Sequence, residues 1–510
     1  MTLSDLTSRF ARTTPDALAF KDGALAVTWA QTDARISRLA AALRAAGVDA
    51  GDRVAVMGLN SVPHVEAMVA ILRLGAICVP VNFRMVAEEV RYVLTDSGAS
   101  AVVVDDMFAP VVATAGAGTT LTIGAGYDAL LDGAGGESDA AGEFPAVDDA
   151  DPAFIMYTSG TTGRPKGAVL SHRNLLLHAY SNIVTNGSSG QEGAGLSGAP
   201  LFHIAGVSGL YITIVGGGAT VMSPSGGFDP AAMVDLLERE RISAVFFVPA
   251  QWAAIVAVPG IRERDLSALR RCSWGAAPAS TTLLQTMIDT FPQADIVTAF
   301  GQTECSPVTC LLRGEDSIRK IGSIGKPILN VEARVVDDDM NDVAPGEVGE
   351  IVYRGPLVMS GYWNKPAETA EAFRGGWFHS GDLVRADEDG YLYVVDRKKD
   401  MIISGGENIY CAEVENVLAA HPKVAEVALI GVADDKYGEA PLAVIAPRDP
   451  ADPPTAAEIE TFCREHLAAY KRPRDVVIVA ALPRNPSGKV LKTRLRAAHG
   501  STTLVAAPPV

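Results

Sequence analysis

The 510-residue chain has no excess of positive charge: 43 Lys and Arg face 60 Asp and Glu, leaving a net charge of −17. A broad basic face for nucleic acid is thereby excluded. Cysteine is scarce too. Cys78, Cys272, Cys305, Cys310, Cys411 and Cys463 make no Cys-x-x-Cys pair and stand beside no histidine cluster, which argues against zinc or a disulfide framework. Scattered thiols suit a reducing compartment, so the expected location is the cytoplasm. The N-terminus carries Asp5 and Arg9 where a signal peptide needs an unbroken apolar core. Internal repeats and heptads are missing as well. The long uncharged stretch 204–222 is broken by Gly206, Gly209, Gly216, Gly217 and Gly218, which predicts a buried helix and strand and no transmembrane segment.

What is present is ordinary globular material, 48% hydrophobic and 20% charged, enough to exclude wholesale disorder. Short apolar runs at 53–57, 77–81, 153–157, 244–248 and 295–299 alternate with helical patterns such as 35–43 and 230–240. Ser171 and Asp229 stand where helix caps belong. Gly116 to Gly142 reads as a surface excursion. After Ile328 the runs shorten, at 331–336, 349–353 and 391–395, and imply an antiparallel or barrel-like region. The last hundred residues read helix (412–420), strand (424–432), helix (456–469), strand (476–479), and the final ten read as a frayed tail. The fold class expected is α/β. A large N-terminal domain of parallel-type sheets with helices, plus a small β-barrel-like region, precedes a small α+β domain.

Five islands carry chemistry. Behind the 153–157 strand come Thr158, Ser159, Gly160, Thr161, Thr162, Gly163 and, three residues on, Lys166. Such a glycine and hydroxyl run with one point charge suits a polyphosphate, although it lacks the Gly-Lys-Ser/Thr end of the common P-loop. Ala299, Phe300, Gly301, Gln302 and Thr303 lead to Glu304, a carboxylate able to hold Mg2+. Asp382 follows a glycine turn, where it could bind sugar hydroxyls. The basic turn 396–400 runs on to Ser404, Gly405, Gly406 and Glu407. Lys489 closes a Gly/Pro loop near the C-terminus.

In order and spacing these islands resemble the adenylate-forming superfamily, and most closely its bacterial fatty-acyl-CoA synthetase branch, over nearly the whole chain. The resemblance implies an N-terminal AMP-binding domain at 1–396 and a mobile C-terminal domain at 397–510, with the hinge at Lys399 and substrates between them. It implies ATP-dependent conversion of a carboxylic acid, fatty or otherwise apolar, to acyl-AMP and pyrophosphate, then transfer to CoA. ATP, Mg2+ and CoA are the cofactors and co-substrates implied, with a homodimer left open.

By the same resemblance the 158–166 loop cradles the β- and γ-phosphates, Thr158 and Glu304 form the metal site, and Lys166, Glu304 and Lys489 are catalytic. The turn Gly275, Ala276, Ala277 and Pro278, with the 299–303 strand end, flanks adenine. Phe300 departs from the family's usual Tyr. Asp382 and Arg397 grip the ribose. Ser404 to Glu407, read as a strand, lines the CoA channel, with two glycines leaving room for pantetheine and a positive φ at Gly406 as the alternative reason for glycine there. His203 sits where family members gate the acyl and thiol tunnels, with a satisfied core histidine as the alternative. Ile204, Val207, Gly209 and Trp274 complete the candidate acyl pocket, which also touches Gly275. Two rival functions stay open: an adenylation enzyme loading a carrier protein in trans, and a non-catalytic nucleotide-binding relative. A serine hydrolase is disfavoured because no Gly-x-Ser-x-Gly elbow is found.

Overall fold

The structure, a computed structural model, describes residues 1–133, 144–158, 164–187, 193–223, 225, 227–277, 279–314, 316–434, 436–484 and 490–500. The chain divides into two compact units. The first holds residues 1–333 and 353–378, the second 334–352 and 379–510. This division cuts the chain at places other than the boundary expected after residue 396.

Two sheets build the first unit. The nine-stranded one runs Lys326–Pro327, Val308–Leu312, Asp295–Gly301, Arg271–Gly275, Ile242–Phe247, Ala194–Ser197, Thr220–Met222, Leu18–Asp22, Leu25–Thr28. Its six strands from Asp295–Gly301 to Leu18–Asp22 are parallel, and antiparallel strands finish both edges. The seven-stranded sheet runs Gly361–Tyr362, Lys166–Ser171, Pro152–Thr158, Ile77–Pro80, Arg53–Met57, Ala101–Asp105, Thr119–Ile123. Parallel strands covered on both faces read as unbroken apolar runs, which is why Val54, Ala55 and Val56 are all fully buried.

Helix starts follow local chemistry. Ser171 accepts from Asn174 N–H and opens His172–Thr185, and Asp229 accepts from Ala231 and Ala232 to open Pro230–Arg239. Against the larger sheet, Phe247, Trp252, Trp274, Met287 and Phe291 form one apolar core. Each such side chain contributes roughly 1.5–3 kcal/mol by leaving water.

The second unit carries most of a four-stranded sheet, in the order Glu332–Val336, Val348–Arg354, Phe378–Ala386, Leu392–Arg397. Its last two strands are antiparallel, in keeping with the antiparallel alternative, and among the described residues no pairing joins its first strand to its last. A five-stranded sheet follows, with Gly438–Pro447 at its centre between Val424–Asp434, Ile402–Ser404 and Asp475–Ile478.

Two expectations need correction. The excursion read from Gly116 to Gly142 contains an edge strand, Thr119–Ile123, and a helix, Tyr127–Gly133, before it leaves the described residues. The central strand Gly438–Pro447 is missing from the sequence reading, because Pro441 punctuates a run that otherwise lacks alternation. The uncharged stretch is the helix Ile204–Val215 followed by the strand Thr220–Met222. Among the described residues no helix is long and apolar enough to cross a membrane. All six cysteines are buried and unbridged.

Candidate active site

In the first unit the site residues gather at strand ends. Pro152–Thr158 and Lys166–Ser171 are antiparallel neighbours, and their register sets Thr158 opposite Lys166. The two thus stand at the mouth of the loop they bound. Ser159, Gly160, Thr161, Thr162 and Gly163 lie outside the described residues. Next to Lys166, the backbone at Pro165 accepts from the Tyr92 hydroxyl at 2.9 Å.

Glu304 lies on a short turn, Thr303–Cys305, after the Asp295–Gly301 strand, and is only 8% exposed. The Thr158 hydroxyl reaches Glu304 Oε1 at 3.5 Å across 146 residues of sequence. Tyr362, which the sequence reading missed, donates its hydroxyl to the same Oε1 at 3.0 Å. Burial and the adjacent Glu304 carboxylate push the Tyr362 phenol pKa upward, so it stays a donor. The ammonium of Lys166 lies 5.1 Å from the Tyr362 ring centroid. The signal that could have found Tyr362 is the Gly-Tyr-Trp-Asn-Lys-Pro run at 361–366, a small island with no repeat or apolar pattern to explain it.

The expected adenine flank is assembled by register. Gly275 pairs with Ala299 on the neighbouring parallel strand, where a Cβ on Gly275 would lie 2.1 Å from Ala299 O. Only glycine permits that approach. Ala276 follows with φ +65°, strained for a residue with a side chain, as often at ligand-facing turns. Pro278 lies outside the described residues. Phe300, Gly301, Gln302 and Thr303 continue from Ala299 to Glu304, and the buried Nε2 of Gln302 has no hydrogen-bond partner among the described residues.

His203 turns out to cap a helix. Its Nδ1 accepts from Ala205 N–H at 3.2 Å at the start of Ile204–Val215, which leaves the proton on Nε2. Desolvation lowers its pKa, so the ring is neutral at pH 7. Ile204 and Val207 are buried on that helix, whereas Gly209 is exposed, with nothing within 4 Å of a would-be Cβ. Trp274 packs into the core with Trp252 and Met287. Its indole shares a face with Cys272 in that cluster, and strand alternation turns Gly275 the other way.

In the second unit, Asp382 and Arg397 are cross-strand partners with Nε–Oδ1 of 2.5 Å. Asp382 is 3% exposed, and its N–H donates to Ser380 Oγ. Lys399 is exposed on the turn that follows. The stretch from Ser404 to Glu407 is a hairpin turn rather than a strand. Ser404 pairs with Glu407, and Gly405 and Gly406 have φ of +61° and +86°, the pattern of a type I′ turn. That turn needs positive φ at both positions, which glycine takes without strain. Lys489 lies outside the described residues, and the flanking Arg484 and Val490 form a bridge.

Among the described residues no group of three His, Cys, Asp or Glu could hold a metal alone. One carboxylate and one hydroxyl therefore suit a hard cation that keeps its waters and takes substrate phosphates, as Mg2+ does.

With this geometry established, the comparisons are specific. The profile of the AMP-binding enzyme family matches residues 7–363, and that of the AMP-binding enzyme C-terminal domain matches 413–489. A feruloyl-CoA synthase of Amycolatopsis sp is 42% identical over 496 residues, covering 96% of this chain and 98% of the relative. A long-chain-fatty-acid–CoA ligase of Mycobacterium tuberculosis is 37% identical over 93% of this chain and 94% of its own. Among solved structures, the o-succinylbenzoate CoA synthetase of Bacillus subtilis in complex with its acyl-adenylate superposes with a TM-score of 0.86. It is 32% identical and covers 96% of this chain and 97% of that one.

Proposed function

Because the chain belongs to the AMP-binding enzyme family, we propose that it is an AMP-forming acid–thiol ligase. It transfers the AMP of ATP to a carboxylic acid with an apolar body, fatty or aromatic, releasing pyrophosphate, and then passes the acyl group to CoA, releasing AMP. The observation that carries this reading is the meeting of Thr158 and Glu304 at 3.5 Å beside Lys166, two oxygen donors and a cation brought together from two different sheets.

The chemistry follows from charge. A carboxylate oxygen must approach an anionic phosphate, and repulsion between them dominates the barrier. Lys166 at the loop end offsets charge on the β- and γ-phosphates, and Lys489 supplies a second cation near the acid. Thr158 and Glu304 would hold Mg2+, which neutralises charge as pyrophosphate departs. Asp382 accepts from the ribose hydroxyls, and Arg397, its ion-pair partner on the neighbouring strand, holds the carboxylate in place. The C-terminal residues serve the half-reactions in turn from a hinge at Lys399, with Lys489 used first and the 404–407 hairpin second. His203 presents a neutral Nε2–H, so it can donate to an acid oxygen without adding charge.

The acid is read from two supports, the buried Ile204 and Val207 beside His203 and the substrates named for the relatives. The test is to incubate the protein with ATP, Mg2+ and ferulate, a long-chain fatty acid or a short polar acid, with and without CoA. AMP, pyrophosphate and an acyl-CoA from one of the first two acids are expected. ADP as the nucleotide product, or no thioester with any acid, would overturn the reading. Turnover only with a carrier protein would favour the carrier-loading rival.

A further inference from the structure

Lys166 and Glu304 carry opposite charges on neighbouring elements and both touch Tyr362, yet no ion pair forms between them. A direct pair between this lysine and this carboxylate would neutralise the two charges that a metal–polyphosphate needs. Tyr362 gives each another partner. Its ring faces the ammonium at 5.1 Å, and its hydroxyl donates to Glu304 Oε1 at 3.0 Å.

The residue is fixed from several sides. Gly361–Tyr362 forms a short antiparallel strand on Lys166–Ser171, with Tyr362 opposite Ala168. Tyr362 N–H donates to Thr369 Oγ1 at 2.9 Å. One residue on, Trp363 N–H donates to Gly167 O at 2.8 Å, and upstream Met359 N–H donates to Glu304 O at 2.7 Å. The 359–363 segment therefore ties the strand bearing Lys166 to the turn bearing Glu304.

We propose that Tyr362 is a positioning residue that keeps Lys166 and Glu304 apart and aims one carboxylate oxygen, leaving the other for a divalent cation. The inference rests on reading Glu304 as the metal-side carboxylate. It acts through binding, so it is tested by binding. ATP is titrated calorimetrically with and without Mg2+ into the wild-type protein and the variants Tyr362→Phe, Tyr362→Leu and Glu304→Gln. The readout is the ratio of the two affinities within each protein.

Removing the hydroxyl alone, as in Tyr362→Phe, is expected to lower that ratio about tenfold, as for a hydrogen bond to a charged group, with Mg2+-free binding near wild type. Tyr362→Leu also removes the ring, so Mg2+-free ATP binding should weaken as Lys166 turns to Glu304. Because the ratio is internal to each protein, a lower melting temperature in either variant does not obscure it below the transition. A wild-type ratio in Tyr362→Phe beside a reduced one in Glu304→Gln would overturn the positioning role alone. Wild-type ratios in both would overturn the metal reading of Glu304 and the inference with it.

Discussion

The two units place functional groups by different means. In the first, register sets Gly275 beside Ala299 on parallel strands and Thr158 opposite Lys166 on antiparallel ones. In the second, register sets only Asp382 opposite Arg397, while Gly405 and Gly406 ride at a hairpin tip with positive φ. A register-built site is held by the whole sheet, whereas a turn-built site depends on one or two residues that accept left-handed backbone. The first arrangement suits fixed cradling of phosphates. The second suits groups that serve one half-reaction and then withdraw.

The contrast breaks most visibly at Lys489. Lys489→Ala should slow acyl-adenylate formation about 10²–10³-fold, roughly 2.7–4 kcal/mol, while thioester formation from supplied acyl-AMP survives. Single-turnover assays of each half-reaction check this, and equal losses in both would mean that the second unit does not alternate between tasks.

Acid should strike the first unit. Burial lowers the pKa of His64 and His172 to about 4 and of His178 to about 3, against an ordinary 6.5. Leu3 N–H donates to His172 and Val308 N–H to His178, so both rings act as neutral acceptors. The unfolded chain takes up protons below pH 6.5 that the native unit refuses until about pH 4. The stability these rings contribute is thus full above pH 6.5 and is lost as pH falls towards 4, at about 1.4 kcal/mol per pH unit for each. All five tryptophans, Trp29, Trp252, Trp274, Trp363 and Trp377, lie in the first unit, so tryptophan fluorescence melts at stepped pH report it selectively. A flat melting temperature from pH 7 to 5 would contradict the burial argument.

Glu304→Gln tests the register-built metal side. It should raise the Mg2+ concentration for half-maximal pyrophosphate release by at least about tenfold. An unchanged curve would place the cation elsewhere.

The smallest effect is expected at the hairpin tip. With φ +86° and nothing within 4 Å of a would-be Cβ, Gly406 is constrained by backbone rather than by space. Gly406→Leu should lower stability by about 1–2 kcal/mol, whereas Gly406→Asn, which tolerates that conformation, should melt near wild type. The Asn variant then isolates the second half-reaction: CoA-dependent AMP release should slow several-fold while adenylation holds. No change in either would remove this turn from the thiol path.

Much of this was legible because function follows apolar strands directly. The run behind the 152–158 strand and Glu304 behind the 295–301 strand announce themselves as polar islands after buried runs. The Asp382–Arg397 pair was legible from its motif. Tyr362 was not, since a two-residue strand has no periodicity and its partners lie far away in sequence. Trp274, a candidate for the acyl pocket, packs instead with Trp252 and Met287, because sequence adjacency to Gly275 does not tell which face of the strand a residue occupies. The sequence offers two reasons for Gly406, room for pantetheine or a positive φ, and the backbone at both Gly405 and Gly406 does have positive φ. Local chemistry shows in a one-dimensional pattern, whereas facing and turn sense depend on three-dimensional pairing.

In the proposed reaction an acyl-adenylate forms before any thiol takes part. Acid-dependent exchange of labelled pyrophosphate into ATP, measured first without CoA and then with it, tests this directly. Exchange should proceed with the acid alone and fall when CoA diverts the adenylate to thioester and AMP. Exchange that appears only once CoA is present would contradict the proposed order of steps.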